Sequence, residues 1–119
     1  MDKYLHDCLY PVMLGANAQC HACARRLQKR YGVTGTVICK KRTLTLRILP
    51  ADTIVEAPPT LSDELLLTIL RDAALAGGAR IPLLVLCDAA YAPFVGRNRA
   101  ALETQFILRR AEELSGEEF

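Results

Sequence analysis

The stretch Cys8–Cys39, CLYPVMLGANAQCHACARRLQKRYGVTGTVIC, has the pattern of a strand, a glycine loop, a helix and a second strand. Its first part, Cys8–Leu14, is a short apolar run that predicts a buried strand. Asn17 is a good N-cap for the helix, and Gly32 is a natural C-terminal cap where that helix stops. Gly35–Cys39 predicts another buried strand. A strand, helix and strand within about 30 residues predict a βαβ unit.

The rest of the chain continues this alternation of strands and helices. Arg42–Leu49 predicts a half-exposed strand or extended edge segment, and Asp52–Ala57 predicts a weak strand. A helix from Asp63 to about Ala76, capped by Thr60 or Ser62, is followed by a strand at Ile81–Cys87. The last predicted elements are a helix between Tyr91 and Leu102, which Pro93 and Gly96 disturb, and a strand at Gln105–Leu108. Continuous apolar strands favour a mostly parallel sheet that is covered on both faces. The predicted fold class is therefore α/β, a Rossmann-like open sheet of about four or five strands.

Length and composition narrow the class of protein. A chain of 119 residues suits one compact domain with its own core. Five cysteines, an odd number at irregular spacings, argue against a disulfide scaffold. The N-terminal sequence lacks the pattern of a signal peptide, and no apolar run has the length of a membrane span. We therefore expect a cytoplasmic protein with reduced thiols and no membrane partner.

The charges are unevenly distributed along the chain. Residues 1–50 carry nine basic and two acidic side chains, a net charge of +7, and residues 51–119 carry six and eleven, a net charge of −5. Such a split is found in proteins with a nucleic-acid or phosphate-binding face. The basic residues here are not interleaved with aromatic residues, which disfavours nucleic acid as a partner. Two solvated faces are the preferred interpretation.

The helix carries a Cys-x-x-Cys pair, Cys20 and Cys23, that is open to three interpretations. A structural zinc site needs four ligands, and the other buried candidates, Cys39 and Cys87, are single thiols on predicted strands. A redox pair would place its first thiol at the very start of a helix, whereas Cys20 lies a turn inside. The third interpretation is structural. Both thiols lie on the apolar side of the helix, where cysteine packs as a small hydrophobic residue.

The loop before this helix is the candidate binding site. The first N–H groups of a helix have no intrahelical acceptor and favour anions. Open α/β sheets bind ligands at the carboxyl ends of their strands, which is where Gly15, Ala16 and Asn17 lie. A single glycine is far from the dinucleotide fingerprint, so a carboxylate or phosphate group fits better than a dinucleotide. Asp88 would line the same crevice if its strand is a neighbour of the first strand, although it can equally be a helix cap or turn residue.

Two stretches resemble the N-terminal domain of ATP-grasp ligases, in the branch that contains carbamoyl-phosphate-synthase-like and D-aspartate-ligase-like proteins. The first is PVMLGANAQCHACARRLQKRYGV, and the second is IPLLVLCDAAYAPFVGRNRAALETQFIL. The positions that carry the resemblance are Leu14 to Asn17, Ala24-Arg25, Tyr31-Gly32, Asp88, Tyr91, Asn98-Arg99 and Phe106 to Leu108. The sequence departs from the family pattern at Ala16, where a second glycine is usual, and at Asn17, where an acid is common.

The resemblance implies a preATP-grasp domain over residues 1–109 and a charged tail, 110–119, that leads to an ATP-grasp domain outside this chain. That domain would be the partner of this one, and it would carry Mg-ATP, so the chain itself is expected to hold no cofactor and no catalytic residue. The expected function is the substrate side of an ATP-dependent carboxylate–amine or carboxylate–thiol ligase. Gly15, Ala16 and Asn17 would donate backbone hydrogen bonds to a small anionic substrate, and Asp88 would add a polar contact.

Other functional classes stay open at this point. One is a stand-alone module that binds a small ligand or nucleotide, and another is a protein that uses its Cys-x-x-Cys pair for metal or redox chemistry. An isolated domain would also expose the apolar surface that meets its neighbour, so a homodimer would be unsurprising. Whether this chain is an enzyme by itself is left undecided by the sequence.

Overall fold

The computed structural model of the chain describes residues 8–41 and 49–114, with the backbone alone at 113 and 114. The strand or edge segment predicted at Arg42–Leu49 falls almost wholly outside the described residues, as does the end of the charged tail. Within the described residues the strands are β1 (Leu9–Leu14), β2 (Thr36–Cys39), β3 (Thr53–Glu56), β4 (Ile81–Leu86) and β5 (Ile107–Arg110). The helices are α1 (Ala18–Tyr31), α2 (Asp63–Ala76), α3 (Ala92–Arg97) and α4 (Arg99–Glu103), with 3₁₀ turns at Ala89–Tyr91 and Ala111–Leu114.

The five strands form one parallel sheet in the order β3-β2-β1-β4-β5. This confirms the predicted α/β, Rossmann-like open sheet. All six residues of β1 are buried, because this strand lies in the centre with β2 on one side and β4 on the other. The chain builds outward from β1 in one direction through β2 and β3, and in the other direction through β4 and β5.

Helices cover both faces of the sheet and enclose two apolar layers. Cys20, Cys23, Ala24 and Leu27 of α1 pack on one face. Leu66 and Leu70 of α2, Phe94 of α3 and Leu102 of α4 pack on the other. The alternation of side chains along each strand assigns successive residues to opposite layers. In β1, Met13 therefore belongs to the α1 layer, whereas Val12 and Leu14 belong to the α2 layer.

The caps of the two long helices form as the local sequence predicts. The side chain of Asn17 accepts a hydrogen bond from the N–H of Cys20, and Gly32 ends α1 in the left-handed conformation with φ 70°. Ser62, rather than Thr60, caps α2 through the N–H of Leu65. These interactions depend only on residues three or four positions apart, so the sequence pattern is enough to find them.

The differences of more than one residue between predicted and observed elements lie toward the C-terminus. The helix expected between Tyr91 and Leu102 is divided into a 3₁₀ turn, α3 and α4, with the break at Asn98. The last strand begins at Ile107 rather than Gln105, because the N–H groups of Gln105 and Phe106 still donate to the carbonyl of Leu102 at the end of α4. The domain also continues past its predicted end at residue 109, because Arg110 lies in β5 and Ala111 is buried in the α1 layer.

Candidate functional site

The carboxyl ends of β1 and β4 form the crevice where ligands bind in open α/β sheets. These two strands are neighbours, and their connections diverge. The chain leaves β1 for α1 on one face, and it leaves β4 for α3 on the other. The candidate site required the strand before Asp88 to lie next to the first strand, and β4 does lie next to β1. The loop at Gly15 therefore lies beside Asp88.

Gly15 is in close contact with Asp88. Its φ is 109°, and a Cβ atom built on it would overlap the Cβ of Asp88 and lie 2.8 Å from the backbone nitrogen of Asp88. The N–H of Gly15 donates to the carbonyl of Ile38 at 2.8 Å. The position therefore requires glycine, and its own N–H is already used within the protein. Ala16 is half-buried and packs against the α1 layer.

Asn17 joins the two loops of the crevice. Its Oδ1 accepts from the N–H of Cys20 at 3.0 Å, and its Nδ2 donates to the carbonyl of Cys87 at 3.0 Å. One side chain thus caps α1 and fixes the end of β4 next to it. Because both ends of the amide are engaged, Asn17 has a positioning role in this structure. The N–H groups of the first helical residues, Ala18 and Gln19, have no intrahelical acceptor and can also donate to an anion.

Asp88 forms two interactions at the rim of the crevice. Its Oδ1 accepts from the N–H of Ala90 at 2.9 Å, and its Oδ2 lies 3.1 Å from Nζ of Lys40. The hydrogen bond from Ala90, and after it the hydrogen bond and charge of Lys40, lower the pKa of Asp88 below its ordinary value. The carboxylate is therefore ionised at neutral pH. Its side chain is 22% exposed and that of Lys40 is 51% exposed, so solvent and ligands reach both.

Lys40 is the residue of this site that the sequence analysis did not assign. It follows β2, and the order of the strands brings it across the end of β1 to Asp88 on the far side. Its position directly after a buried strand could have identified it, because the carboxyl ends of parallel strands lie at one edge of a sheet. The pair of Lys40 and Asp88 is neutral in sum, so Asp88 does not cancel the attraction of the α1 N-terminus for an anion.

Four of the five cysteines belong to the apolar layer between the sheet and α1. Cys20, Cys23, Cys39 and Cys87 all belong to the α1 layer and are buried. Cys39 and Cys87, expected to be single thiols, therefore share a cluster with the Cys-x-x-Cys pair, because β1 carries β2 and β4 on its two sides. A hydrogen bond with Cys20, together with burial, raises the pKa of Cys87, and burial raises the pKa of Cys23 to about 12.

Thiols with raised pKa values are poor nucleophiles and poor metal ligands, because both functions need the thiolate. Among residues 8–41 and 49–112, no group of three or more His, Cys, Asp or Glu is arranged to hold a metal ion. Burial of Cys20 and Cys23 in the α1 layer favours their structural interpretation, in which cysteine packs as a small hydrophobic residue.

Comparisons with known proteins leave the family open. No protein-family model matches the chain, and neither a curated protein nor a solved structure matches it. Within the described part of the chain, no helix has the length and apolar character needed to cross a membrane.

Proposed function

We propose that the chain is the substrate-side N-terminal domain of an ATP-dependent carboxylate–amine or carboxylate–thiol ligase, and that its crevice binds a small anionic substrate. The observation that carries the proposal is the contact between the Gly15 loop and Asp88 at the point where the strand order reverses, with Lys40 beside it. A glycine loop that leads into a helix N-terminus at this point of an open sheet is a common arrangement for anion binding.

The charges of the crevice favour a substrate with both an anionic and a cationic group. The N-terminus of α1 and the ammonium of Lys40 attract a carboxylate or phosphate. The carboxylate of Asp88, held within 3.1 Å of Lys40, is a ready acceptor for an amine. A small amino acid matches both ends, because its carboxylate and ammonium groups are only a few bonds apart.

The chemistry is divided between this domain and the one that the family resemblance implies. Mg-ATP bound by that other domain would supply the phosphoryl group that converts a carboxylate into an acyl phosphate, with release of ADP, and attack by an amine or thiol would then release phosphate. We assign no catalytic step to the described residues of this domain. Their part is to bind and orient the substrate through α1, Lys40 and Asp88.

The test is a titration of isotope-labelled protein followed by nuclear magnetic resonance. We expect small amino acids to shift the amide signals of Gly15, Ala18 and Asp88, and Mg-ATP to leave them unchanged. Asp88→Asn should weaken binding of the amino acid about tenfold while leaving binding of its deaminated carboxylic acid nearly unchanged. Lys40→Gln should weaken binding of both. Lys41→Gln, a change at the exposed neighbouring lysine, is the matched control.

The same titration separates the proposal from its alternatives. Tight binding of Mg-ATP to this chain would contradict the division of labour and favour a stand-alone nucleotide-binding module. If neither the amino acids nor the carboxylic acids shift the amide signals of Gly15 and Asp88, the crevice is not a substrate site. If the crevice binds an amino acid but the reading frame beyond Phe119 encodes no ATP-grasp domain, the chain is a ligand-binding module and the ligase proposal is wrong.

A further inference from the structure

Tyr91 is a buried tyrosine three residues after Asp88, and the proposed function gives it no role. It ends the 3₁₀ turn that follows β4, and its side chain lies in the α2 layer with none of its surface exposed. A buried hydroxyl needs a hydrogen-bond partner within the protein. The partner of Tyr91 is distant in sequence, because its hydroxyl donates to the carbonyl of Ala57 at 2.8 Å.

A series of contacts connects this tyrosine to both charges of the crevice. The N–H of Tyr91 donates to the carbonyl of Asp88 at 3.0 Å, so the turn fixes the tyrosine relative to that residue. On the other side, the N–H of Ala57 donates to the carbonyl of Cys39 at 2.8 Å, and Lys40 is the next residue. Nζ of Lys40 lies 3.1 Å from Oδ2 of Asp88. The contacts therefore form a closed ring that starts and ends at Asp88.

This ring bears on the ion pair because the pair itself is exposed. The side chains of Lys40 and Asp88 are 51% and 22% exposed. An exposed ion pair contributes little by itself, since the attraction is screened and flexible side chains have to be ordered. The geometry of the pair therefore depends on how the main chain holds the end of β2 relative to the loop after β4. The hydroxyl of Tyr91 connects these two segments through Ala57.

We infer that Tyr91 is a positioning residue of the proposed substrate site, and that its hydroxyl, through Ala57, holds Lys40 against Asp88. The identity of the ligand rests on the proposed function, whereas the positioning is measurable without a ligand. Burial, and after it the electrostatic effect of Cys39 and Asp88, raise the pKa of Tyr91 to about 12. The phenol therefore keeps its proton at neutral pH, and this proton makes the hydrogen bond to Ala57.

The test compares two conservative variants. Tyr91→Phe removes the hydroxyl and keeps the ring that fills the α2 layer. Tyr10→Phe is the matched control, because Tyr10 is buried in the same layer and its hydroxyl forms a buried hydrogen bond with Oγ1 of Thr36 at 2.9 Å. Both variants lose one buried hydrogen bond, so thermal unfolding should show similar losses of stability and confirm that both are folded.

The first measurement needs no ligand and follows the Asp88 carboxyl group by carbon-detected titration. The hydrogen bond from Ala90, and after it Lys40, lower the pKa of Asp88. Tyr91→Phe should raise this pKa part of the way, as Lys40→Gln does, whereas Tyr10→Phe should leave it low. In the double variant of Tyr91 and Lys40 the pKa should be no higher than in Lys40→Gln alone, because the tyrosine acts through the lysine.

The second measurement is binding of small amino acids to the same proteins. Tyr91→Phe should weaken binding about threefold to tenfold, because Lys40 is no longer held at the rim. It should weaken binding of the deaminated carboxylic acid as well, since Lys40 attracts the carboxylate that both ligands share. Tyr10→Phe should leave both affinities unchanged.

Three results would overturn the inference. A wild-type pKa of Asp88 in Tyr91→Phe would mean that the tyrosine only fills the core. Equal effects of Tyr91→Phe and Tyr10→Phe would mean that loss of any buried hydrogen bond loosens the crevice. Additive effects in the double variant would mean that Tyr91 and Lys40 act independently. If the wild-type chain binds no amino acid, the proposed function fails, and the titration of Asp88 still decides whether Tyr91 positions Lys40.

Discussion

Gly15 lies against Asp88 in the candidate site, and its role follows from its backbone conformation and from the lack of space for a side chain. Its positive φ is a conformation that side chains rarely adopt, and the space where a Cβ would lie is already filled by Asp88. The residue therefore allows the ends of β1 and β4 to approach each other. This approach brings the α1 N-terminus, Asp88 and Lys40 to one rim.

We predict that Gly15→Ala lowers the free energy of unfolding by about 3 kcal/mol, from the strained φ and from overlap with Asp88. Gly32→Ala is the control, because Gly32 also has a positive φ but a Cβ there meets nothing within 4 Å. It should cost only about 1 kcal/mol, the backbone penalty alone. Urea unfolding of both variants measures the difference, and equal losses would mean that contact with Asp88 is not what requires glycine.

At the scale of elements, α2 and α3 are joined through one carboxylate. Asp63, in the first turn of α2, accepts two hydrogen bonds from Arg97, at 2.9 and 3.0 Å, and one from Asn98 at 2.9 Å. Asn98 also donates to the carbonyl of Phe94 and stands where the predicted single helix is broken. The break between α3 and α4 thus coincides with a contact to a residue 35 positions away, which local sequence does not reveal.

This contact predicts an acid dependence of stability. The hydrogen bonds from Arg97 and Asn98 lower the pKa of Asp63 from 3.8 to about 2. A carboxylate with a depressed folded pKa contributes stability that is fully present above its unfolded pKa of 3.8 and is lost as the pH falls toward 2. Asp63→Asn should therefore lose stability at pH 6 but show a flatter decline than the wild type between pH 4 and pH 2.

Carbon-detected titration of the Asp63 carboxyl group measures the pKa itself. We expect a value of about 2 in the wild type and a higher value in Arg97→Gln, where the largest cause is removed. Arg71→Gln, a change at an exposed arginine of α2, is the control and should leave the value low. A wild-type pKa near 3.8 would contradict the contact between α2 and α3.

At the scale of the whole molecule, the fold separates the cysteines into one exposed thiol and four buried ones. Cys8 is exposed, whereas the other four cysteines share one apolar layer: Cys20 and Cys23 of α1, Cys39 of β2, and Cys87 directly after β4. Burial raises the pKa of Cys23 to about 12, and Cys87 shifts in the same direction. Thiolate is the reactive form, so these positions are expected to be inert in the folded protein.

We therefore predict that a thiol reagent modifies one cysteine rapidly in native protein at pH 8 and all five in denaturant. Cys8→Ser should remove the rapid reaction, which identifies the exposed thiol. Fast modification of Cys20 or Cys23 in native protein would contradict the structural interpretation and would restore the redox alternative. Mass spectrometry of digested, alkylated protein assigns each position.

The sequence alone determined the features that depend on neighbours in the chain. The Asn17 cap, the glycine C-cap at Gly32 and the buried strands follow from patterns of a few residues, because caps, turns and side-chain periodicity are local interactions. The alternation of strands and helices was also enough for the α/β class, since apolar parallel strands need helices on both faces. Gly15 and Asp88 were identified because each directly follows such a strand.

The tertiary structure alone decided which of these pieces meet. The pairing of Lys40 with Asp88 and the shared cluster of Cys20 and Cys87 need β1 to lie between β2 and β4. Strand order depends on how whole faces of the sheet and its helices are buried. Lys40 and Asp88 are 48 positions apart and Cys20 and Cys87 are 67 apart, so no local sequence pattern shows that they meet.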